Sequence, residues 1–334
     1  MKIGLYSVTY LGLWYRGPAL TIEGVIERAR RFGYEGVEID GKRPHGNPSD
    51  MPRSRCRELG DRARGAGIEI YAVAANNDFS SPIPEHRESQ LLSVRDLIRM
   101  TADLGAPVLR VFAAWPGVTI SGGTARYLRS RQIWRDTQME STPDEIWDRC
   151  REGLTEAARC AGDHGVTLAL QNHPPVTNSP DDMLRMIREV ASPHVKACLD
   201  APLAARQDIA SMAETAHAVR GLQVLSHFGG EYERRPDRSV LGHVRHPDGS
   251  LTEENYYAEF ARGMHDIGYD GYVGYELCHP LPHIDGRPAG LDFADLNARL
   301  AAEYMRAIES ETSLSVRQAS PASRTDSART LRRT

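Results

Sequence analysis

The chain has 334 residues, of which 26% are charged and 40% hydrophobic, a composition typical of a soluble globular protein. Its formal net charge of −4 provides no long-range attraction to polyanions, which argues against nucleic acid as a partner. The five cysteines are widely spaced without a Cys-x-x-Cys pair, which argues against a disulfide scaffold or a zinc finger and favours the cytoplasm. We find no signal-peptide pattern and no apolar run near the ~20 residues of a membrane span, so we expect no membrane insertion.

Strand and helix patterns alternate along the chain. Strands are predicted at Lys2–Val8, Gly36–Asp40, Ile68–Ala74, Val108–Ala113, Val166–His173, Val195–Leu199, Leu222–His227 and Tyr272–Glu276. Helices are predicted at Thr21–Phe32, Pro52–Arg64, Glu85–Leu104, Thr142–His164, from Ser179 onward, and at Asp208–Val219, Glu253–Ile267 and Asp292–Ile308. This alternation predicts parallel strands with helices on the outside of the sheet.

The number of repeats predicts an α/β fold, a closed (β/α)8 TIM barrel that occupies residues 1–310. An open doubly wound sheet is the alternative, and it normally carries a glycine-rich phosphate loop after its first strand. The sequence Val8-Thr-Tyr-Leu-Gly-Leu-Trp14 does not have that pattern. Residues 311–334 are rich in Ser, Arg, Thr and Ala with few large apolar residues, so a disordered tail is predicted there.

Three connections that follow strands are long, whereas the helix-to-strand turns are short and contain glycine. The long connections are predicted at Ala114–Ser141, Gly229–Thr252 and Cys278–Leu291. The loops that follow the strands of a TIM barrel form its catalytic face, and long loops there are usually functional. This asymmetry favours an enzyme over a structural scaffold.

Four consecutive predicted strands end in polar side chains, namely Gln171, Asp200, His227 and Glu276. Because neighbouring parallel strands bring their carboxyl ends together, these side chains are expected to converge. Two carboxylates, an imidazole and an amide oxygen suit one divalent metal ion, with manganese first and magnesium or cobalt as alternatives. A single acidic residue at a strand end more often caps a helix or pairs with arginine, but the joint occurrence on four strands favours a metal site.

Short sequences at these strands resemble those of the xylose isomerase-like TIM barrels, the sugar phosphate isomerase and epimerase family. They are Gly36-Val-Glu-Ile39, Leu170-Gln-Asn-His-Pro174, Ala197-Cys-Leu-Asp200, Ser226-His227 and Gly274-Tyr-Glu276, and the resemblance covers residues 1–308. It implies that the four strand-end residues hold the metal and that two ligating glutamates move a proton next to a substrate carbonyl. The chain departs from the family at Gln171, where the family has glutamate, and an amide cannot accept a proton at neutral pH.

Further side chains are candidates for proton transfer or substrate binding, although ordinary packing or solvated charge remains an alternative for each. His173 lies two residues beyond Gln171 and faces the same way along the strand, so it is the leading replacement for the missing base. Glu276 keeps its role as an acid or base, and His45, in the loop after the second strand, is a third catalytic candidate. The candidate substrate-binding residues are Asp40, Lys42, Arg110 and Trp115.

A narrower resemblance, to the α subunit of the C-glycoside deglycosidases, rests on three sequences. They are Leu11-Gly-Leu-Trp-Tyr-Arg-Gly17, Glu38-Ile-Asp-Gly-Lys-Arg-Pro-His-Gly-Asn-Pro48 and Leu170-Gln-Asn-His-Pro-Pro175. The resemblance implies a lyase that cleaves 3-keto-glycosides by β-elimination, which needs one base and a separate acid. It also implies a small β subunit as a partner, and we therefore expect an oligomer.

The main alternative is a ketose isomerase or epimerase of the same fold. An endonuclease-IV-like nuclease is less favoured, because it needs more metal ligands and a basic face for DNA. A non-catalytic subunit is the remaining alternative, since one glutamate of the family's metal site is missing.

Overall fold

The computed structural model describes residues 1–204, 209–246 and 249–319, and its centre is a closed barrel of eight parallel strands. The barrel strands are β1 (Lys2–Tyr6), β2 (Gly36–Asp40), β3 (Glu69–Ala74), β4 (Val108–Val111), β5 (Thr167–Gln171), β6 (Val195–Cys198), β7 (Gln223–Phe228) and β8 (Tyr272–Tyr275). They follow one another around the barrel in chain order, and β8 pairs with β1 to close it, with Lys2 opposite Tyr272. The predicted (β/α)8 barrel is therefore confirmed.

Nine α-helices lie within the described residues, one more than the sequence predicts. They are α1 (Ile22–Phe32), α2 (Arg53–Gly65), α3 (Pro84–Leu104), α4 (Tyr127–Thr137), α5 (Pro143–His164), α6 (Pro180–Val190), α7 (Ile209–Ala218), α8 (Tyr257–Asp266) and α9 (Leu291–Ala319). The additional helix, α4, lies in the long connection after β4. Within the described residues, no helix combines the length and the apolar character that a membrane crossing requires.

The last helix extends well beyond its predicted end at Ile308. Helix α9 continues to Ala319, so the first part of the predicted tail from Glu311 is helical backbone, and residues 320–334 lie outside the described residues. The predicted helix over Asp208–Val219 appears as α7, with Asp208 itself outside the described residues.

The helix starts follow the capping signals of the sequence. Thr142 accepts a hydrogen bond from the main-chain N–H of Glu145, whose carboxylate in turn accepts from the N–H of Thr142, a complete capping box. Helix α5 ends at Gly165 with φ of 66°, a left-handed conformation that glycine adopts at little cost. These local signals fix where each helix begins and ends, and hence where each following strand enters the barrel.

Aromatic and small side chains fill the barrel interior below the strand ends. The ring of Tyr71 stacks on that of Tyr272 with centroids 4.0 Å apart. A Cβ atom at Gly274 would lie 2.6 Å from the Tyr71 hydroxyl, so the absence of a side chain there makes room for this ring. The packed interior forms a rigid floor under the carboxyl ends of the strands.

The three long loops carry secondary structure of their own. The loop after β4 contains a hairpin of 119–121 and 124–126 followed by α4, and the loop after β7 forms a three-stranded sheet of 231–234, 240–245 and 251–253. The loop after β8 contains a short hairpin of 283–284 and 287–288. The Tyr127 hydroxyl donates to the carbonyl of Cys278 at 2.5 Å, which joins the first of these loops to the last.

The carboxylate of Glu231 joins the loop after β7 to the loop after β8. The guanidinium of Arg245 donates to both oxygens of this nearly buried carboxylate, and His279 Nε2 lies 3.1 Å from Oε1. Burial opposes ionisation, but the hydrogen bonds from Arg245 and His279 outweigh it and lower the pKa of Glu231 to about 2.

Replacing Glu231 with glutamine is expected to lower the free energy of unfolding at neutral pH by about 1–3 kcal/mol. A carboxyl group whose folded pKa is depressed contributes stability above its unfolded pKa of roughly 4.3, and this contribution is lost as the pH falls toward about 2. Urea unfolding followed from pH 7 to pH ~2.5 therefore should give a flatter profile for Glu231→Gln. Glu233→Gln, at an exposed position on the same strand, is the control, and parallel profiles for Glu231→Gln and the natural protein would contradict the prediction.

Candidate active site at the carboxyl ends of the strands

His227 lies at the centre of the site, between two buried carboxylates. Its Nε2 lies 2.7 Å from Glu38 Oε2 and its Nδ1 lies 3.0 Å from Asp200 Oδ2. The main-chain N–H of His227 also donates to Asp200 Oδ1 at 2.8 Å. Burial opposes protonation, but the charges of Glu38 and Asp200 outweigh it and raise the pKa of His227 well above its usual value. The two carboxylates thus fix both the position and the orientation of the ring.

Glu38 is a functional candidate that the sequence analysis missed. It lies in the middle of β2, is fully buried, and approaches His227 from the other side of the barrel interior. A carboxylate that accepts from one ring nitrogen leaves the other nitrogen available for a metal, an arrangement found around many metal-binding histidines. The sequence does contain a signal for Glu38, since it is an acidic residue inside the apolar run Gly36-Val-Glu-Ile. It lies two residues before Asp40, so both side chains face the same side of the strand.

Gln171, the last residue of β5, is buried between a carboxylate and a guanidinium. Its Nε2 donates to Asp200 Oδ2 in a short contact, and its Oε1 accepts from Arg110 Nη1 at 3.3 Å. The sequence predicted Gln171 as a metal ligand through its amide oxygen. In the structure that oxygen faces Arg110, and the amide nitrogen is directed at the Asp200 carboxylate.

Arg110 enters the barrel interior from β4 and is almost completely buried. Its Nη2 donates to the Tyr6 hydroxyl at 2.6 Å, and its Nε lies 3.6 Å from Glu38 Oε1. The Tyr6 hydroxyl donates to Asp40 Oδ2 at 2.9 Å, and Lys42 Nζ lies 3.4 Å from the same oxygen. Arg110, Asp40 and Lys42, all predicted as substrate-binding residues, thus belong to one network of hydrogen bonds and ion pairs beside the site.

Glu276 follows β8 directly and lines the cavity above the barrel floor. Burial and the neighbouring Asp200 carboxylate raise the pKa of Glu276, although His227 and Arg110 act in the opposite direction. A carboxylate with a raised pKa is a stronger base than one in water. Glu276 is therefore the acidic side chain best suited to accept a proton within this cavity.

The cavity encloses about 60 Å³ and has two chemically different sides. Lys42, Asn76 and Arg110 provide polar groups on one side. The other side is aromatic, with Trp14 stacked on Tyr127 at 5.1 Å between ring centroids, and Trp115 on Phe112 at 5.0 Å. Trp115, predicted as a substrate-binding residue, therefore lies in the cavity wall.

The two histidines predicted as acid or base residues occupy different environments. His173 lines the cavity, with its ring edge-on to Phe112 and Trp115, and its Nδ1 lies 2.5 Å from the carbonyl of Pro174. Burial lowers the pKa of His173 to about 4. His45, which was predicted to face the site, does not line the cavity. The loop after β2 directs its ring toward the segment before α1, where Nε2 lies 3.0 Å from the carbonyl of Leu20.

The residues around Asp200 fit a divalent metal ion. Asp200 and His227 offer an oxygen and a ring nitrogen within 4.8 Å of each other. Glu276 lies outside this cluster; it follows β8, which is the next strand but one from the strand that precedes Asp200. Cys198 belongs to the same cluster, but burial raises the pKa of its thiol, which favours the protonated form that binds metals weakly. Two carboxylates and one imidazole form a set suited to Mn²⁺, Mg²⁺ or Co²⁺.

A closed parallel barrel that carries such a set at the carboxyl ends of its strands has the architecture of a TIM-barrel enzyme. Residues 26–307 match the model of the family described as xylose isomerase-like TIM barrel. The chain belongs to this family, as the strand-end sequences predicted.

Individual relatives are distant in sequence and close in fold. Fructoselysine 3-epimerase of Escherichia coli O157:H7 is 24% identical over 291 residues, which cover 83% of this chain and 90% of that protein. The structure of D-psicose 3-epimerase from Clostridium cellulolyticum H10 superposes with a TM-score of 0.66 at 20% identity, over 92% of this chain and 99% of the other. The structure of 3-keto-D-glucoside 4-epimerase from E. coli superposes with a TM-score of 0.61 at 18% identity, over 93% and 99% of the two chains.

Proposed function

We propose that this protein moves a proton next to the carbonyl of a keto-sugar, with epimerisation or isomerisation of the sugar as the overall reaction. The observation that carries the proposal is Glu276, a buried carboxylate with a raised pKa in the cavity beside His227 and Asp200. The epimerases named above, which act on fructoselysine, D-psicose and a 3-keto-glucoside, support the same type of reaction.

Asp200, His227 and Glu276 would hold the divalent metal ion, with manganese as the first candidate. When bound, such an ion polarises the substrate carbonyl and stabilises the enediolate that proton removal creates. Glu38 keeps the His227 ring in place through Nε2, so that Nδ1 remains directed at Asp200. In this proposal Glu276 accepts the proton from the carbon next to the carbonyl.

His173 is proposed as the second proton-transfer group, in the role that Gln171 cannot perform. Its lowered pKa keeps the imidazole neutral at physiological pH. Because Nδ1 faces the Pro174 carbonyl, the ring proton belongs on Nδ1 and the lone pair on Nε2. In this proposal Nε2 takes up a proton from water and delivers it to the carbon on the face opposite to the one from which Glu276 removed a proton. The edge-on contacts with Phe112 and Trp115 hold the ring at the cavity wall.

Replacing His173 with glutamine is expected to lower kcat for epimerisation by about 10²–10³-fold, since general acid–base groups contribute on that order. Loss of the substrate C–H proton to D₂O, measured by NMR, should continue at a higher rate than product formation, because Glu276 remains. His164→Gln is the matched control: its Nδ1 also faces a main-chain carbonyl, that of Cys160, but it ends α5 at the opposite end of the barrel. Equal losses of epimerisation in both variants would contradict the role of His173.

The function itself is tested with Mn²⁺-loaded protein and a panel of sugars. D-fructose, D-psicose, D-tagatose, L-ribulose and fructoselysine are incubated in D₂O, and epimers and deuterium incorporation are followed by NMR. We expect at least one substrate to be epimerised with deuterium at the exchanged carbon. No exchange with any keto-sugar, including the 3-keto-glucosides tested next, would refute proton transfer next to a carbonyl.

A second candidate, cleavage of 3-keto-glycosides by β-elimination, is favoured by Gln171 and by the aromatic side of the cavity. An elimination requires one base and one acid, so an amide in place of the second carboxylate does not impair it. Trp14, Trp115 and Tyr127 would accept an aromatic leaving group next to the sugar. Incubation with a 3-keto-C-glucoside distinguishes cleavage from epimerisation, and it is done with the chain alone and with the chain plus a small partner subunit. Release of the aglycone supports cleavage. Formation of epimers alone supports the first candidate.

A further inference from the structure

Gln171 has a defined amide orientation, because its two neighbours differ in what they can donate and accept. The carboxylate of Asp200 only accepts hydrogen bonds, and the guanidinium of Arg110 only donates them. The observed orientation places NH₂ at Asp200 and the carbonyl oxygen 3.3 Å from Arg110 Nη1. Rotating the amide by 180° would direct its oxygen at a carboxylate and its NH₂ at a cation, so both contacts would become repulsive.

Arg110 is itself held in place and cannot easily release the amide oxygen. The Arg110 side chain is buried, and its guanidinium carbon lies 4.4 Å from the centre of the Phe112 ring. Nη2 donates to Tyr6, and the charge is balanced by Glu38, whose Oε1 lies 3.6 Å from Nε. Moving Arg110 would take this cation away from Glu38 Oε1, a buried carboxylate oxygen that accepts no hydrogen bond in the structure, which is costly in a protein interior.

We propose that Gln171 is not a metal ligand: it is a positioning residue, fixed by Arg110, that holds Asp200 in place by donating to its carboxylate. This inference rests on the metal site of the proposed function and assigns a role outside that site to Gln171, which the sequence analysis predicted as a ligand. The metal is then bound by three side chains, Asp200, His227 and Glu276, in place of the four that the family resemblance implies. One additional coordination position is left for a substrate oxygen or for water.

The number of water molecules on bound Mn²⁺ tests this proposal, measured by EPR line broadening in ¹⁷O-enriched water without any sugar. Gln171→Met removes the amide but keeps the length and volume of the side chain, and we expect the same number of bound waters as in the natural protein. Glu276→Met is the matched reference for the loss of a true ligand, with one additional water. A gain of one water in Gln171→Met, equal to that in Glu276→Met, would overturn the proposal.

A crystal structure of the natural protein with Mn²⁺ provides a second test that depends on no variant. We expect Gln171 Oε1 to remain at hydrogen-bond distance from Arg110 and outside the coordination sphere. An Oε1–metal distance of roughly 2.0–2.3 Å would overturn the proposal. Since both measurements use the metal alone, they remain informative even if no keto-sugar is turned over, and so separate this inference from the proposed function.

Discussion

Replacing Glu276 with glutamine is expected to lower kcat by about 10³-fold or more while the protein remains folded. Glutamine keeps the shape of the side chain and an oxygen that can bind a metal, but it cannot accept a proton. The natural chain already has an amide at the end of β5, so this variant would have amides at both strand ends where the family resemblance implies glutamates. Proton abstraction would then have no carboxylate available in the cavity wall among the described residues that line it.

The decisive measurement for Glu276→Gln is exchange of the substrate C–H proton with D₂O, because it reports proton removal without requiring product formation. Glu35→Gln is the control, since Glu35 accepts a hydrogen bond from the N–H of Ile3 at the amino ends of the strands, far from the cavity. An exchange rate in Glu276→Gln within about threefold of that in the control would show that another group removes the proton.

Replacing Asp200 with asparagine is expected to lower the affinity for Mn²⁺ by at least about 10²-fold and to destabilise the metal-free protein by about 3 kcal/mol. Asp200 accepts from the His227 main chain, faces the His227 ring and accepts from Gln171. An asparagine retains only one oxygen and directs an NH₂ group at one of these donors. The buried His227 also loses one of the two charges that hold it.

Metal content after dialysis and thermal unfolding with and without EDTA measure the two effects of Asp200→Asn separately. Asp40→Asn is the control, because Asp40 also accepts several hydrogen bonds at this end of the barrel, from Tyr6 and Asn76, but lies outside the metal cluster. Full Mn²⁺ content in Asp200→Asn, with a melting temperature that still falls on addition of EDTA, would exclude Asp200 as a ligand.

The periodicity of the sequence was sufficient to predict the barrel and the strand ends that face one another. Each of Asp200, His227 and Glu276 ends or follows a short apolar run, which is a local signal, and the barrel topology brings them together. Glu38 was missed because it lies in the middle of its strand. Barrel strands are tilted relative to the barrel axis and staggered in register, so a residue in the middle of β2 can reach the level of the end of β7.

The loops could not be placed in the same way, because their conformation depends on tertiary contacts that have no period. His45 was predicted to face the site, yet its loop turns the ring toward Leu20. Helix α4 was not predicted inside the long connection after β4, since its apolar residues do not form a clear buried face and only Ser130 of this helix is buried. Arg110, by contrast, lies on a strand, and its side chain is buried inside the barrel as a substrate-binding candidate requires.

The charged residues of the site lie on or directly after barrel strands, whereas the aromatic residues of the cavity wall lie in loops, so the two groups can evolve separately. Glu38, Asp200 and His227 belong to strands or follow them directly, and they are bonded to one another above the packed floor of Tyr71 and Tyr272. Trp14, Trp115 and Tyr127 come from the segments that follow β1 and β4, and they line the cavity. Exchange of these segments between related proteins would therefore alter which sugar derivative is accepted while the reactive core is inherited unchanged, so that substrate range and chemistry can evolve independently.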